Sequence, residues 1–194
     1  MIYLCLPSHN NAATIGLLLW KIRTVFDEFP RQYQLLVADD GSTDDTLRVL
    51  KPYEKSLPLT VLKSKTYRGY AATIEDLLRE AIKASDRPKR DCVITLYPDF
   101  TASPSCIPDM IRRFESGADV VIAQVETDRS SMLEQAVRKL SPALMRPGVR
   151  IPGLSDLTSG ICAIRLITLR RCFRDSEVHM LQTDGPSAHA ELIA

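Results

Sequence analysis

One stretch constrains the fold more than any other: the apolar run 33–38, which ends in the adjacent carboxylates Asp39 and Asp40. A short apolar run that is closed by polar and turn-forming residues is typical of a buried β-strand. Ligands of open α/β sheets bind outside the carboxyl ends of the strands. Asp39 and Asp40 are therefore the first residues that we expect to contact a ligand.

A helix is expected to follow this strand almost at once. Ser42 or Thr43 is predicted to cap it, because a hydroxyl oxygen can accept a hydrogen bond from a free amide of the first turn. Asp44 and Asp45 are predicted to lie in that first turn, where the helix dipole favours negative charge. The stretch as a whole therefore predicts a strand, a ligand-binding turn and a helix.

The rest of the chain repeats this alternation of strand and helix patterns. The other predicted strands cover residues 2–7, 59–63, 92–97, 119–125 and 161–165. The predicted helices cover residues 12–29, 44–55, 70–85, 105–115 and 130–145, then a basic segment ending near 174 and a final helix begun within 185–194, with a loop over 146–160. Repeated βα units predict a mostly parallel sheet with helices on both faces. No internal repeat or domain boundary interrupts residues 1–194, so we expect one α/β domain.

Composition gives no support for some classes of partner. The 25 Lys and Arg residues balance 24 Asp and Glu residues, so charge gives no reason to expect nucleic acid. No apolar run approaches the ~18 residues that a membrane-spanning helix needs. The five cysteines are scattered without a Cys-x-x-Cys pair, which favours buried thiols in a reducing cytoplasm. The three histidines are too dispersed to predict a metal cluster from spacing.

Acidic residues follow two predicted strands, at Asp39-Asp40 and at Asp99. Brought to one edge of the sheet, they could bind a nucleotide and a divalent cation, since carboxylates accept hydrogen bonds and supply hard oxygen ligands. The alternative is that these carboxylates only cap helices at a solvated edge. Spacing alone leaves the two interpretations about equal.

Three segments add a resemblance. Residues 7–11, 37–46 and 156–160 resemble the family 2 glycosyltransferases of GT-A fold, and most closely their polyprenyl-phosphate (dolichol-phosphate) mannose or glucose synthase branch. Residues 68–72 and 116–121 are similar to further segments of that family, in the same order. The resemblance implies a GT-A, Rossmann-like fold and transfer of a sugar from a nucleotide-diphosphate donor.

The resemblance also implies a nucleotide site. Pro7, His9 and Asn11 occupy positions that contact the nucleotide in the family, which usually has Tyr and Glu where this chain has His9 and Asn11. Asp39 matches the carboxylate that reads the base or ribose. The remaining members of the predicted nucleotide-binding set are Asp40, Arg68 and Pro98.

The same resemblance implies the catalytic and metal residues. Asp99 matches the last Asp of the family's Asp-x-Asp motif, which binds Mg²⁺ or Mn²⁺ on the donor diphosphate, and Glu191 resembles a Glu near the donor sugar and the acceptor. Tyr97 stands where the family has the first Asp, so the metal site is expected to be weakened. Val125 replaces a basic residue whose charge Arg68 or Arg138 could supply, although surface solvation is the favoured role of both arginines. The branch continues with another strand and a basic loop that follow the equivalent of residue 194.

Two functions remain open from the sequence. The first is a cytoplasmic glycosyltransferase, peripheral to the inner membrane face, that moves a hexose from a GDP- or UDP-linked donor to a phosphate or hydroxyl acceptor such as polyprenyl phosphate. The second is a non-catalytic relative that binds a nucleotide or a protein partner. An NAD or ATP enzyme is disfavoured, because no Gly-x-Gly-x-x-Gly and no P-loop motif follows a strand.

Overall fold

The computed structural model describes residues 1–100, 103–123 and 161–174, together with positions 181, 183, 188, 191 and 192. The strands are β1 (Ile2–Ser8), β2 (Tyr33–Asp40), β3 (Leu59–Ser64), β4 (Cys92–Thr95), β5 (Val120–Ile122) and β6 (Cys162–Arg165). The helices are α1 (Ile15–Glu28), α2 (Thr46–Ser56), α3 (Tyr70–Ala84), α4 (Ile107–Glu115) and α5 (Leu166–Arg174), and a single 3₁₀ turn, Pro104–Cys106, leads into α4.

The six strands form one sheet in the order β3-β2-β1-β4-β6-β5. β1, β2, β3 and β4 are parallel, whereas β6 runs antiparallel to both of its neighbours. β1 is entirely buried and almost continuously apolar, as expected for a central strand that helices cover on both faces. The predicted mostly parallel α/β sheet is confirmed.

Alternate residues of the strands enter two separate cores. Leu35 and Val37 pack with α1, α2 and α4 on one face. Leu36 and Ala38 pack with α3 and α5 on the other. Because successive side chains of a strand point to opposite faces, Asp39 continues the first row and Asp40 the second. The two neighbouring carboxylates therefore lie on opposite faces of the sheet.

The predicted cap of the second helix is wrong. α2 begins at Thr46, and neither Ser42 nor Thr43 caps it. The Ser42 hydroxyl instead accepts a hydrogen bond from the Asn10 amide, 2.9 Å away, and the Asp44 carboxylate accepts one from the Thr46 amide at 2.9 Å. Ser42 therefore contacts the loop after β1 and does not cap the helix.

The other predicted elements occur with shifted ends. β4 stops at Thr95, two residues before the predicted end, and the Leu96 amide still donates to the Cys5 carbonyl oxygen at 3.0 Å. Residues 188, 191 and 192 are helical, in agreement with the predicted final helix. The predicted helix 130–145, the loop 146–160, Val125 and Arg138 lie outside the described residues. Within the described ranges, no helix has the length and apolar character needed to cross a bilayer.

Candidate functional site

The carboxyl ends of the parallel strands bring the predicted residues to one edge of the sheet. Ser8 at the end of β1 pairs with Asp39 of β2, and Asp39 pairs in turn with Lys63 of β3. β4 lies on the other side of β1, so the segment that ends in Asp99 leaves the sheet at the same edge. Pro7 and Pro98 are buried, and Asp99 is exposed. The topology therefore places both acidic positions that the sequence singles out at the same edge of the sheet.

Asp39 has an incomplete set of hydrogen bonds. Its side chain is only 2% exposed, and Oδ2 accepts a hydrogen bond from the Ser42 amide at 3.3 Å. Oδ1 is buried and has no hydrogen-bond partner among the described residues. A buried polar atom without a partner costs about 1–3 kcal/mol. An N–H or O–H group of a ligand would supply the missing hydrogen bond.

Asp40 is engaged by the protein itself. Both of its carboxylate oxygens accept a hydrogen bond from the Arg68 amide at 3.0 Å, and Oδ2 accepts another from the Gly69 amide at 2.8 Å. These amides directly precede α3, at the end of the helix whose dipole attracts negative charge. Asp40 therefore anchors the loop between β3 and α3 to the end of β2.

The loop after β1 is joined to the loop after β2. The Asn10 side-chain oxygen accepts a hydrogen bond from the Thr43 amide at 2.8 Å. The Asn11 amide donates to the Thr46 hydroxyl at 2.9 Å, while its side-chain oxygen accepts from the His9 amide at 3.0 Å. Asp44 also joins this network, and the Thr46 hydroxyl hydrogen bond lowers the pKa of its carboxyl. The two loops thus form one hydrogen-bonded rim beside Asp39.

His9 and Tyr67 form an aromatic pair at this rim. His9 Nδ1 lies 2.8 Å from the carbonyl oxygen of Asp40, which can only accept, so Nδ1 carries the proton. Nε2 then accepts from the Asn10 side-chain amide at 3.1 Å. The Tyr67 ring lies with its centroid 4.6 Å from that of His9, at an interplanar angle of 55°. Sequence reasoning missed Tyr67, although an aromatic residue directly before Arg68-Gly69 was a usable signal.

The predicted cation position offers one carboxylate ligand, that of Asp99, among the described residues. The Tyr97 hydroxyl is hydrogen-bonded to the Tyr70 hydroxyl, and burial raises the pKa of both phenols. A neutral phenol does not replace the carboxylate ligand that the family has at this position. Over the described ranges, no three His, Cys, Asp or Glu side chains gather as a metal site would require. Mg²⁺ can nevertheless be held by one carboxylate together with waters and substrate phosphates, so Asp99 fits a weakened site.

Two other predicted residues have partners within the protein. The Arg68 guanidinium pairs with the Asp76 carboxylate at 2.7 Å and lies 3.6 Å from that of Asp40. Glu191 Oε2 accepts hydrogen bonds from the amide and the hydroxyl of Thr183, at 3.0 and 2.9 Å. These contacts hold both side chains in place, and their roles toward a substrate stay predictions.

A family model that spans most of the chain decides the membership. The family model described as glycosyl transferase family 2 matches residues 3–172. The chain belongs to glycosyl transferase family 2. The resemblance carried by residues 7–11 and 37–46 is thereby confirmed, and the family name can be used for the domain described above.

Similar proteins agree with this family 2 assignment. The chain is 26% identical over 144 residues to the undecaprenyl-phosphate 4-deoxy-4-formamido-L-arabinose transferase of Klebsiella pneumoniae (strain 342), covering 73% of this chain and 42% of that protein. It thus spans less than half the length of this curated relative.

Solved structures define the fold. The mannosyltransferase PcManGT from Pyrobaculum calidifontis, in complex with GDP-Man and Mn²⁺, superposes with a TM-score of 0.64 at 16% identity, over 96% of this chain and 50% of that one. Glucosyl-3-phosphoglycerate synthase from Mycobacterium tuberculosis, in complex with Mn²⁺, UDP and phosphoglyceric acid, superposes with a TM-score of 0.62 at 20% identity. The match covers 100% of this chain and 63% of that one. The family 2 domain therefore has the GT-A fold.

Proposed function

We propose that this chain is the donor-binding domain of a glycosyltransferase that moves a hexose from a nucleotide-diphosphate sugar to a phosphate or hydroxyl acceptor. The observation that carries the proposal is the buried Asp39 Oδ1, which lacks a hydrogen-bond partner among the described residues at the ligand-binding edge of the sheet. Residues 1–194 are proposed to act as one domain. The family assignment and the GT-A fold support this function.

The nucleoside is proposed to lie between the rim and Asp39. A carboxylate oxygen accepts hydrogen bonds only, so Asp39 selects a base N–H or a ribose hydroxyl. Pro7, His9 and Asn11 shape this side of the site. Asp40 acts on the nucleotide indirectly, because it holds the loop that carries Arg68.

The diphosphate is proposed to lie toward Pro98 and Asp99. Asp99 would hold Mg²⁺ or Mn²⁺, which supplies positive charge to the diphosphate leaving group when it is bound. The Mn²⁺ in the complexes of both solved neighbours supports a divalent cation here. With a single carboxylate among the described residues of this position, the chain is expected to bind that cation weakly.

Transfer requires one bond to form and one to break. An acceptor oxygen attacks the anomeric carbon, and the bond from that carbon to the diphosphate breaks with its electron pair leaving on the nucleotide. A phosphate acceptor is already ionised at neutral pH and needs no strong base. A hydroxyl acceptor needs one, and Glu191 is the proposed base in that case.

The acceptor is proposed to be a lipid phosphate of the polyprenyl class. The undecaprenyl-phosphate substrate in the name of the Klebsiella relative supports this choice. Such an acceptor would place the reaction at a membrane surface, with this domain on its cytoplasmic side. Both GDP- and UDP-linked donors are candidates, since one solved neighbour holds GDP-Man and the other UDP.

The replacement Asp39→Asn tests the nucleotide site. Calorimetry with UDP and GDP should show binding by the natural protein and affinity about 10–100-fold lower in the variant, because a hydrogen bond to a charged group contributes about 1.5–3 kcal/mol. The melting temperature should not fall, because the change removes a buried carboxylate whose Oδ1 has no hydrogen-bond partner among the described residues.

Asp45→Asn is the matched control for this experiment. It removes the same charge from an exposed carboxylate that pairs with Arg48, and its affinity should equal that of the natural protein. Binding without turnover of any donor sugar would favour the non-catalytic alternative. Absence of UDP and GDP binding by the natural protein would rule out the proposed donor site.

Asp99→Ala tests the cation. We expect the gain in nucleotide affinity that Mn²⁺ produces to shrink about tenfold, the effect of losing one charge-assisted contact of about 1.4 kcal/mol. Titrations in Mn²⁺ and in EDTA measure that gain directly. Asp109→Ala is the control, because Asp109 is an exposed carboxylate of α4 that pairs with Arg112. If both variants keep the full Mn²⁺ effect, Asp99 is not a metal ligand.

A further inference from the structure

Tyr67 presents an aromatic face at the edge of the sheet where the proposed nucleotide site lies. Its side chain is 61% exposed, more than that of any other exposed large hydrophobic residue among those described. The exposure matters here because of its place: an aromatic face at the carboxyl edge of the sheet can stack on a planar ligand that binds there. The loop between β3 and α3 carries it to the rim beside Asp39.

Contacts on both sides fix the position of this ring. The ring is tilted against the His9 ring at a centroid distance of 4.6 Å. Its backbone passes directly over Gly41, where an added Cβ would come within 2.6 Å of the Thr66 carbonyl carbon and 2.8 Å of the Tyr67 nitrogen. The next two amides, those of Arg68 and Gly69, are bonded to Asp40. The ring is therefore preorganised before any ligand arrives.

The geometry also indicates which surface a ligand would use. Stacking contacts place aromatic planes about 3.5 Å apart, so a base between two rings needs roughly 7 Å. The 4.6 Å between His9 and Tyr67 leaves no room for it there. Both His9 nitrogens are hydrogen-bonded within the protein, so His9 offers no hydrogen bond to read a base. Among the described residues of this rim, the outward face of Tyr67 is the exposed aromatic surface.

We infer that Tyr67 is a nucleobase-stacking residue and that His9 acts as its support. The inference rests on the proposed function and deepens it. The rim then offers a nucleoside an aromatic face at Tyr67 and, at Asp39, an acceptor oxygen without a hydrogen-bond partner among the described residues. Asp39 lies two residues before the glycine that Tyr67 covers. Stacking of a base on an aromatic side chain tolerates different bases, so base choice falls to Asp39.

Calorimetry on Tyr67→Ala and Tyr67→Phe tests this role, with UDP, GDP, uridine, guanosine and inorganic pyrophosphate as probes. We expect Tyr67→Ala to lower the affinity for a nucleotide and for its nucleoside by the same factor, about tenfold. Tyr67→Phe should retain most of the affinity because it keeps the ring. The two variants should bind pyrophosphate with equal affinity. Trp20→Phe is the control, because Trp20 is 55% exposed on α1.

A fluorescence experiment adds a direct readout. Trp20 is the single tryptophan of the chain, so Tyr67→Trp in a Trp20→Phe background places one reporter at the proposed face. Nucleoside binding should quench it. If the natural protein binds UDP or GDP and Tyr67→Ala binds equally well or more tightly, this inference is overturned while the proposed function stands. If the natural protein binds neither nucleotide, both fall together.

Discussion

Asp40→Ala is expected to lower the free energy of unfolding by about 3–4 kcal/mol. The change removes the acceptor of the Arg68 and Gly69 amides, and each hydrogen bond to a charged group contributes about 1.5–3 kcal/mol. Asp40 is 2% exposed and Gly69 is buried, so water cannot fully replace the lost carboxylate. Urea denaturation followed by circular dichroism measures the change.

Two variants make that experiment specific. Asp40→Asn keeps one acceptor oxygen and should cost about half as much. Asp76→Ala removes an exposed carboxylate whose ion pair with the Arg68 guanidinium, at 2.7 Å, is worth at most about 1 kcal/mol. An Asp40→Ala effect no larger than that of Asp76→Ala would contradict the anchoring role of Asp40.

Gly41→Ala is expected to cost about 3 kcal/mol of stability and to weaken nucleotide binding. Gly41 has a φ of +66°, a left-handed conformation that costs an L-residue about 1–2 kcal/mol. The new methyl group would also overlap the backbone of Thr66 and Tyr67, and overpacking typically adds 1–3 kcal/mol. Moving that backbone would displace the Tyr67 ring.

Gly117→Ala separates these two causes. Gly117 also has a positive φ, of +112°, but an added Cβ there meets nothing within 4 Å. It should therefore lose stability through backbone strain alone and keep its full affinity for UDP or GDP. Calorimetry and urea denaturation of both variants provide the comparison. Equal nucleotide affinity in Gly41→Ala and Gly117→Ala would show that the contact over Gly41 does not shape the site.

Local sequence determined the layers of this protein. The apolar runs around Leu4, Leu36 and Ile94 predicted the three central strands, because a strand buried on both faces must be apolar almost throughout. Carboxylates at the ends of two such strands pointed to a ligand-binding edge, since parallel strands carry their carboxyl ends to the same side. Residues 39, 40 and 99 were placed at this edge from the sequence, and the sheet order agrees.

Tertiary structure alone decided which contacts the neighbouring residues Asp39 and Asp40 make. Asp39 and Asp40 end the same apolar run, and strand alternation predicts only that they face opposite sides of the sheet. In the folded chain, one keeps an oxygen without a described hydrogen-bond partner and the other binds two amides from a loop 28 residues away. The start of α2 and the position of Tyr67 depend in the same way on contacts between loops that are distant in sequence. Periodicity reports which face of an element is buried, whereas hydrogen bonds between loops depend on which segments the folded sheet brings together.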